Sequence, residues 1–282
     1  MSDMKYKIKE ICCVVVTYNG SNDTINSLLE YEKIFDELVI VDNNSEFVFR
    51  KQLIDNIKNA HLVLNYHNEG IAKALNQGFR YAKERGARFL LTMDQDSVMT
   101  RDIVLELLNA IDEKAGYISV GPSYKNVAEE KYLDVNFLIT SGNLVLIDAI
   151  EAVKGYSEEL FIDGVDIDFS WSLLQSGYRL RQLGKVIMHH KIGEYERSKM
   201  LRIQYLSHTP IRFYYIYRNT ILIFKKYHKE FRINCLKMVL ALLLIDTSQL
   251  LFIESRKKEK LKMAINGLYD GMRNKNGEYH KI

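Results

Sequence analysis

Along the first 125 residues, apolar runs alternate with polar clusters, and the spacing switches between two periods. Ile11 to Val16 is a short β-branched run, the pattern of a strand buried on both faces. Helical spacing follows: Asn22 or Asp23 can cap a helix through Phe35, with Ile25, Leu28 and Leu29 facing inward. Leu38 to Val41 and His61 to Leu64 read as the second and third strands. Ile71, Leu75, Phe79 and Ala82 recur at helical spacing, and Gly86 supplies a stop. Phe89 to Met93 is a fourth strand, a helix carries Ile103, Leu107, Leu108 and Ile111, and Ile118 to Gly121 closes this portion. Strands alternating with helices predict crossover units and a mostly parallel sheet.

Such sheets take ligands at the carboxyl ends of their strands, outside a topological switch point. Four strand ends are polar here: Thr17-Tyr18-Asn19, Asp42-Asn43-Asn44, Asn65 to Gly70 and Asp94-Gln95-Asp96. One would mean little, but four predict a shared cleft. Asp94 and Asp96 can converge on a hard divalent cation, or form a capping turn with Asp102. Asp42 suits a ribose or base, or another cap. In Phe161 to Asp168 three acids sit in an apolar setting ahead of a helix-like segment, Phe169 to Ser176. Asp166 and Asp168 there read as a general base and its neighbour, or as acids favoured at a helix start, and one residue can be both.

His189 and His190 follow Val186-Ile187-Met188. A neutral imidazole there could complete coordination begun by Asp96, or be structural. No zinc spacing, Gly-x-Ser-x-Gly elbow, Gly-x-Gly-x-x-Gly fingerprint or P-loop occurs, which weakens hydrolase, dehydrogenase and NTPase readings.

Composition adds less. The 282 residues are 47% hydrophobic, enough for one sizeable core or a core plus an appended element. Cys12, Cys13 and Cys235 cannot form a disulfide framework, which fits a reducing compartment, and Met1 to Glu10 lacks a signal-peptide core. Charge changes the picture: residues 1–196 carry −9 and residues 197–282 carry +12. The basic part interleaves Tyr214, Tyr215, Tyr217 and Phe224 with Arg212, Arg218, Lys225 and Lys226, then runs through Met238 to Ile245 and Leu250 to Ile253. Lys237 and Asp246 interrupt what would otherwise be a spanning stretch. Interfacial helices meeting anionic headgroups are the expectation, and packing on the body or a second subunit is the rival.

The motifs in order resemble family 2 inverting glycosyltransferases of the GT-A fold, in their bacterial rhamnosyltransferase-like group. They are Val14 to Asn19, Val41-Asp42-Asn43, Asn68 to Gly78, Asp94-Gln95-Asp96, Thr140 to Asn143, Phe161 to Asp168 and His190 to Gly193. The resemblance covers residues 10–195. It implies an α/β, Rossmann-like GT-A catalytic domain over 1–196, with its mostly parallel central sheet flanked by helices. The extension, 197–282, is expected from its own pattern to be helical and membrane-associating.

By the same resemblance, Thr17, Asn19 and Asp42 hold the donor's base and ribose, and Asn68, Gly70 and Asn76 line the same pocket. Asp94, with Gln95, lies nearer the ribose and sugar, and Ser141, Gly142 and Asn143 lie near the transferred sugar. Asp96 and His190 are the metal ligands, for Mg2+ or Mn2+. Asp166 is the catalytic base and Asp168 its support. Many relatives carry an arginine shortly after that second acid, and this chain has Ser172 there. The implied reaction inverts a sugar, with rhamnose from dTDP-rhamnose as the expectation, onto a hydroxyl of a saccharide acceptor. A lipid-linked acceptor at the cytoplasmic face of the membrane, in surface polysaccharide or O-antigen assembly, fits the basic tail. The rivals are a nucleic-acid-binding module, a nucleotidyltransferase on the same fold and an inactive scaffold; the expectation includes no nucleic-acid partner.

Overall fold

A computed structural model describes residues 5–124, 128–188, 195–197 and 204–280. The chain divides into two compact units. The first comprises Met1–Ser157 and Phe169–Lys191; the second comprises Glu158–Asp168 and Ile192–Ile282. This differs from a simple division at 196/197, because the acidic segment groups with the C-terminal unit.

The first unit is an eight-stranded sheet in the order β3-β2-β1-β4-β7-β5-β8-β6. Its strands are β1 (Ile11–Thr17), β2 (Glu37–Asp42), β3 (His61–Leu64), β4 (Phe89–Asp94), β5 (Tyr117–Ser123), β6 (Tyr132–Val135), β7 (Asn143–Leu146) and β8 (Arg179–Ile187). The first four are parallel, with β7 and β6 antiparallel to their neighbours. Every residue of β1 is buried, as a central strand covered on both faces requires. Helices α1 (Asn22–Ile34), α3 (Ile71–Glu84) and α4 (Arg101–Ala110) fall where helical spacing predicts them. Gly86 follows α3 at φ +71°, where a side chain would be strained. Gly78 lets α3 approach β1: a Cβ there would lie 2.4 Å from a Val14 methyl. Cys12, Cys13 and Cys235 are free and buried, and burial pushes the Cys12 thiol up to about 12.

Helix α2 (Phe47–Asn56) has no counterpart in the predicted pattern. Its first apolar residues, Phe47 and Val48, are exposed, and Phe49 and Leu53 are its buried positions. The short α5 (Ile147–Ala152) was also absent from that pattern, and α6 (Val165–Gln175) starts earlier than the segment expected from Phe169. The boundary between the two units falls within α6.

In the second unit, α7 (Pro210–Tyr227) begins with proline at its first turn, where a missing N–H costs nothing. α8 (Arg232–Ala241) runs on through π-helical Leu242–Asp246 and Gln249–Ile253 as one apolar helix, Arg232–Ile253. Lys237 and Asp246 interrupt the hydropathy, not the helix. α9 (Lys257–Met272) packs on α7 through glycines: a Cβ on Gly267 would lie 2.3 Å from the Tyr214 carbonyl oxygen. Phe213, Tyr217, Leu242, Leu250 and Ala264 form the core of this unit. Buried Lys260 pairs with buried Glu254, which also accepts from Ser207 at 3.2 Å and Gln249 at 3.0 Å.

Candidate active site

The first unit places its polar strand ends at one level of one sheet edge. Thr17 is in register with Asp42, and Val16 with Asp94. The chain leaves β1 for β2 on one side while β4 lies on the other, so the switch point falls between β1 and β4.

Asp42 is the hub of this edge and is fully buried. Its carboxylate accepts from Thr17 Oγ1 at 3.2 Å, from Ser45 N at 3.1 Å and from the Ser45 hydroxyl, and it pairs with Arg50 Nε at 3.1 Å. A carboxylate so supplied organises the loop rather than reaching out to a ribose. Ser45 Oγ in turn accepts from Asn19 N at 2.8 Å, and Asn19 Oδ1 accepts from Glu46 N at 2.8 Å. Asn19 adopts φ +50°, a conformation Asn tolerates better than most residues. It and Tyr18 are the exposed members over this hub.

Asn43 donates to Asn68 Oδ1 at 2.8 Å, and the same oxygen accepts from Gly70 N at 2.9 Å. Asn68 and Gly70 therefore join the strand-end network, at the start of α3. Asn76 is bonded elsewhere as well. Its amide pairs both ways with the Tyr156 backbone, at 2.9 Å each, and it is buried. These bonds brace α3 against the turn at Gly155.

Gln95 bridges the switch point, accepting from Tyr18 N at 2.8 Å and donating to Tyr18 O at 3.1 Å. Asp94 N donates to Ser141 Oγ at 3.2 Å, and Ser141 Oγ donates to Ser97 Oγ at 2.7 Å. Tyr31 OH donates to Ser97 O at 2.7 Å, and Tyr124 OH to Ser141 O. Burial pushes the Tyr124 phenol up and the charge of Asp94 adds to this, so Tyr124 stays a donor. Gly142, at φ +74°, donates to Thr92 O at 2.7 Å, and Asn143 Oδ1 accepts from Ser119 at 2.8 Å. Ser141 and Asn143 are buried; Ser141 braces the acidic turn, and Asn143 is tied to β5. Ser45, Arg50, Ser97, Tyr31 and Tyr124 were not foreseen. Only Ser45, three residues beyond Asp42, carried a usable turn signal.

The second unit carries the other acids. Asp166, at the head of α6, is half-buried, and its Oδ1 accepts from Ile167 N at 2.9 Å. Asp168 is buried and pairs with Lys226 Nζ at 2.7 Å. Burial acts to lower the Lys226 ammonium, but the charge and hydrogen bond of Asp168 outweigh it and hold its pKa above the usual lysine value. Asp163 pairs with Arg212 at 2.5 Å.

Asp96 is exposed beside Asp94, and this hard-oxygen donor set fits a divalent cation. Among the described residues no group of three His, Cys, Asp or Glu gathers on one point. His189 and His190 lie outside the described residues, so the expected partner of Asp96 in holding the metal does as well.

Residues 12–163 match the model of the family described as Glycosyl transferase family 2. The dTDP-rhamnosyl transferase RfbF of Shigella flexneri is 31% identical over 286 residues, spanning 93% of this chain and 95% of that protein. Among solved structures, the mannosyltransferase PcManGT from Pyrobaculum calidifontis, in complex with GDP-Man and Mn2+, superposes with a TM-score of 0.59 at 18% identity. That match covers 96% of this chain and 77% of the other. S. aureus TarS 1-349 in complex with UDP-GlcNAc gives 0.60 at 17% identity, covering 94% and 81%.

Proposed function

The chain belongs to glycosyl transferase family 2 and has the GT-A fold, and from that premise we propose that it transfers L-rhamnose from dTDP-L-rhamnose, with inversion, to a hydroxyl of a saccharide acceptor. The observation that carries the reading is the bonded polar edge at the carboxyl ends of β1, β2 and β4, where Thr17 is level with Asp42 and the adjacent Val16 with Asp94. The likeness to a dTDP-rhamnosyl transferase supports the donor.

In this reading Tyr18, Asn19 and the Asn43–Asn68 pair meet the base and ribose, while Asp42 holds their loops in place. Asp94, its N–H fixed by Ser141, faces the ribose and sugar. Asp96 and His190 would hold Mg2+ or Mn2+, which when bound neutralises charge on the diphosphate. Asp166 accepts the proton of the acceptor hydroxyl. The acceptor oxygen forms its bond to the anomeric carbon as the bond from that carbon to the β-phosphate oxygen breaks, and the electron pair leaves with dTDP. Positioning and fixed charge supply most of the acceleration.

The same reading seats the protein on the cytoplasmic face of the membrane, serving a lipid-linked acceptor in surface polysaccharide assembly. Two features support this. Ile233, Leu236, Leu240, Leu244 and Leu251 form an exposed apolar stripe along the Arg232–Ile253 helix, while Cys235, Leu242 and Leu250 face inward. Residues 197–282 also carry +12. Twenty-two residues are long enough to cross a bilayer. However, Tyr217 OH and Thr247 Oγ1 bond at 2.8 Å and Leu242 and Leu250 pack on α7, which favours lying in the interface.

The test is turnover of dTDP-L-rhamnose by Asp166→Asn. It should lose about 1,000-fold or more in dTDP release with unchanged affinity for dTDP. Near-normal release would remove Asp166 as the base.

A further inference from the structure

The segment that carries Asp166 is held in the second unit by one face of α7. Arg212, Asn219 and Lys226 are spaced seven residues apart, so they line one face of the helix over about 21 Å. Each takes a different part of Glu158–Asp168. Arg212 pairs with Asp163. The Asn219 amide nitrogen donates to the carbonyls of Leu160, Ile162 and Asp163 at 2.9, 2.7 and 2.7 Å. Lys226 pairs with Asp168, and the neighbouring Tyr227 hydroxyl donates to the Asp168 carbonyl at 2.9 Å.

Positions between them join in. Arg218, fully buried, spends its guanidinium on the carbonyls of Glu159, Leu160 and Gly277 and on Asn219 Oδ1. The Phe161 ring stacks on Tyr215 at 5.1 Å. A Cβ on Gly164 would lie 2.7 Å from Ile223. Phe161, Asp163 and Gly164 all have left-handed backbone, which costs glycine nothing but persists at Phe161 and Asp163 only where the surroundings hold it. The two carboxylates after this bend then part company: Asp168 is buried and spent on Lys226, while Asp166 is half-buried on the first turn of α6.

We propose that α7 is a positioning element for the transfer reaction. Lys226 ties Asp168 to α7 by an ion pair and so fixes the first turn of α6, which carries Asp166, the proton acceptor of the proposed reaction. The proposal rests on the reading of Asp166 as the base. It moves Asp168 from a catalytic residue to a positioning one. It also gives the C-terminal unit a task besides membrane attachment. The cation beside the second acid comes from α7.

The experiment uses the full chain and reads dTDP release from dTDP-L-rhamnose, affinity for dTDP and thermal melting. Lys226→Met strands a buried carboxylate and lets the bend shift; a misplacement of about 1 Å costs on the order of 100-fold in kcat. KM for dTDP-L-rhamnose and affinity for dTDP should stay within about twofold, and Lys226→Arg should restore most of the turnover. Lys226→Met/Asp168→Asn, which removes both charges, should recover melting temperature, because no buried carboxylate is left unpaired, while turnover stays about tenfold or more below wild type, because the tie to α7 is gone. Should Lys226→Met fail to fold, the double variant carries the comparison by itself. Reduced turnover with near-normal melting supports the proposal, and turnover near wild type overturns it. Asp166→Asn run alongside separates the two ideas. If Asp166→Asn is inactive while Lys226→Met stays within twofold of wild type, the role of α7 falls alone; if Asp166→Asn keeps turnover, the base reading falls and takes this one with it.

Discussion

Single residues decide how the donor edge is built. Asp42 was legible because an acid directly after a β-branched strand is a recognisable sign, but its task was not. The difference lies in Ser45 and Arg50, whose donors fill its oxygens; Arg50 comes from α2, which the hydrophobic pattern hid. Removing one donor to a buried carboxylate costs about 1.5–3 kcal/mol. Arg50→Gln should therefore weaken dTDP binding about tenfold or more by titration calorimetry. An unchanged affinity would detach Asp42 from the nucleotide edge. His208 offers a pH test. Its Nδ1 is buried without a hydrogen-bond partner among the described residues; burial, with Arg212 adding, holds the imidazole below its ordinary 6.5. A depressed folded value means the unfolded chain takes the proton first. Stability is thus present above 6.5 and lost as pH falls through it towards the folded value. Melting temperature should drop on acidification, and His208→Gln should flatten that limb if the reading is right.

Elements were read well wherever period and burial agree. β1 to β4, α1, α3 and α4 follow from apolar runs and helical spacing, because each buries the positions its period marks. α2 escaped because Phe47 and Val48 are apolar yet exposed. The second unit was the hardest, since Arg212 and Lys226 read as basic residues for anionic headgroups until their partners in Glu158–Asp168 are known. Close packing makes its own prediction. Gly267→Ala gains about 1 kcal/mol in helix propensity. The added Cβ would meet the Tyr214 carbonyl oxygen at 2.3 Å and the Arg218 nitrogen at 3.1 Å, both backbone. Overpacking costs about 1–3 kcal/mol, and fixed backbone puts this site at the upper end. Gly267→Ala should lower the melting temperature, and a stabilised variant would show that α7 and α9 have slack.

At the scale of the whole chain, charge separates an acidic stretch from a basic one, and most of the exposed large apolar residues fall on the basic one. Flotation should show binding to vesicles with anionic lipid, weakening with salt, and poor binding to neutral ones. Leu240→Glu/Leu244→Glu should abolish it while leaving dTDP affinity intact. Resistance to alkaline carbonate extraction would instead mark Arg232–Ile253 as a crossing helix.

The family and its fold were readable because motifs from several strand ends keep their order. The donor was not, because a base and a sugar are chosen by side-chain shape at the cleft. Thermal melting across a panel of nucleotide sugars, with and without Mg2+ or Mn2+, addresses that choice directly. A ligand at 100 times its Kd adds about 2.7 kcal/mol to stability. dTDP-L-rhamnose with the divalent ion should give the largest rise; a larger rise with a purine nucleotide sugar, or none with any donor, would contradict the account.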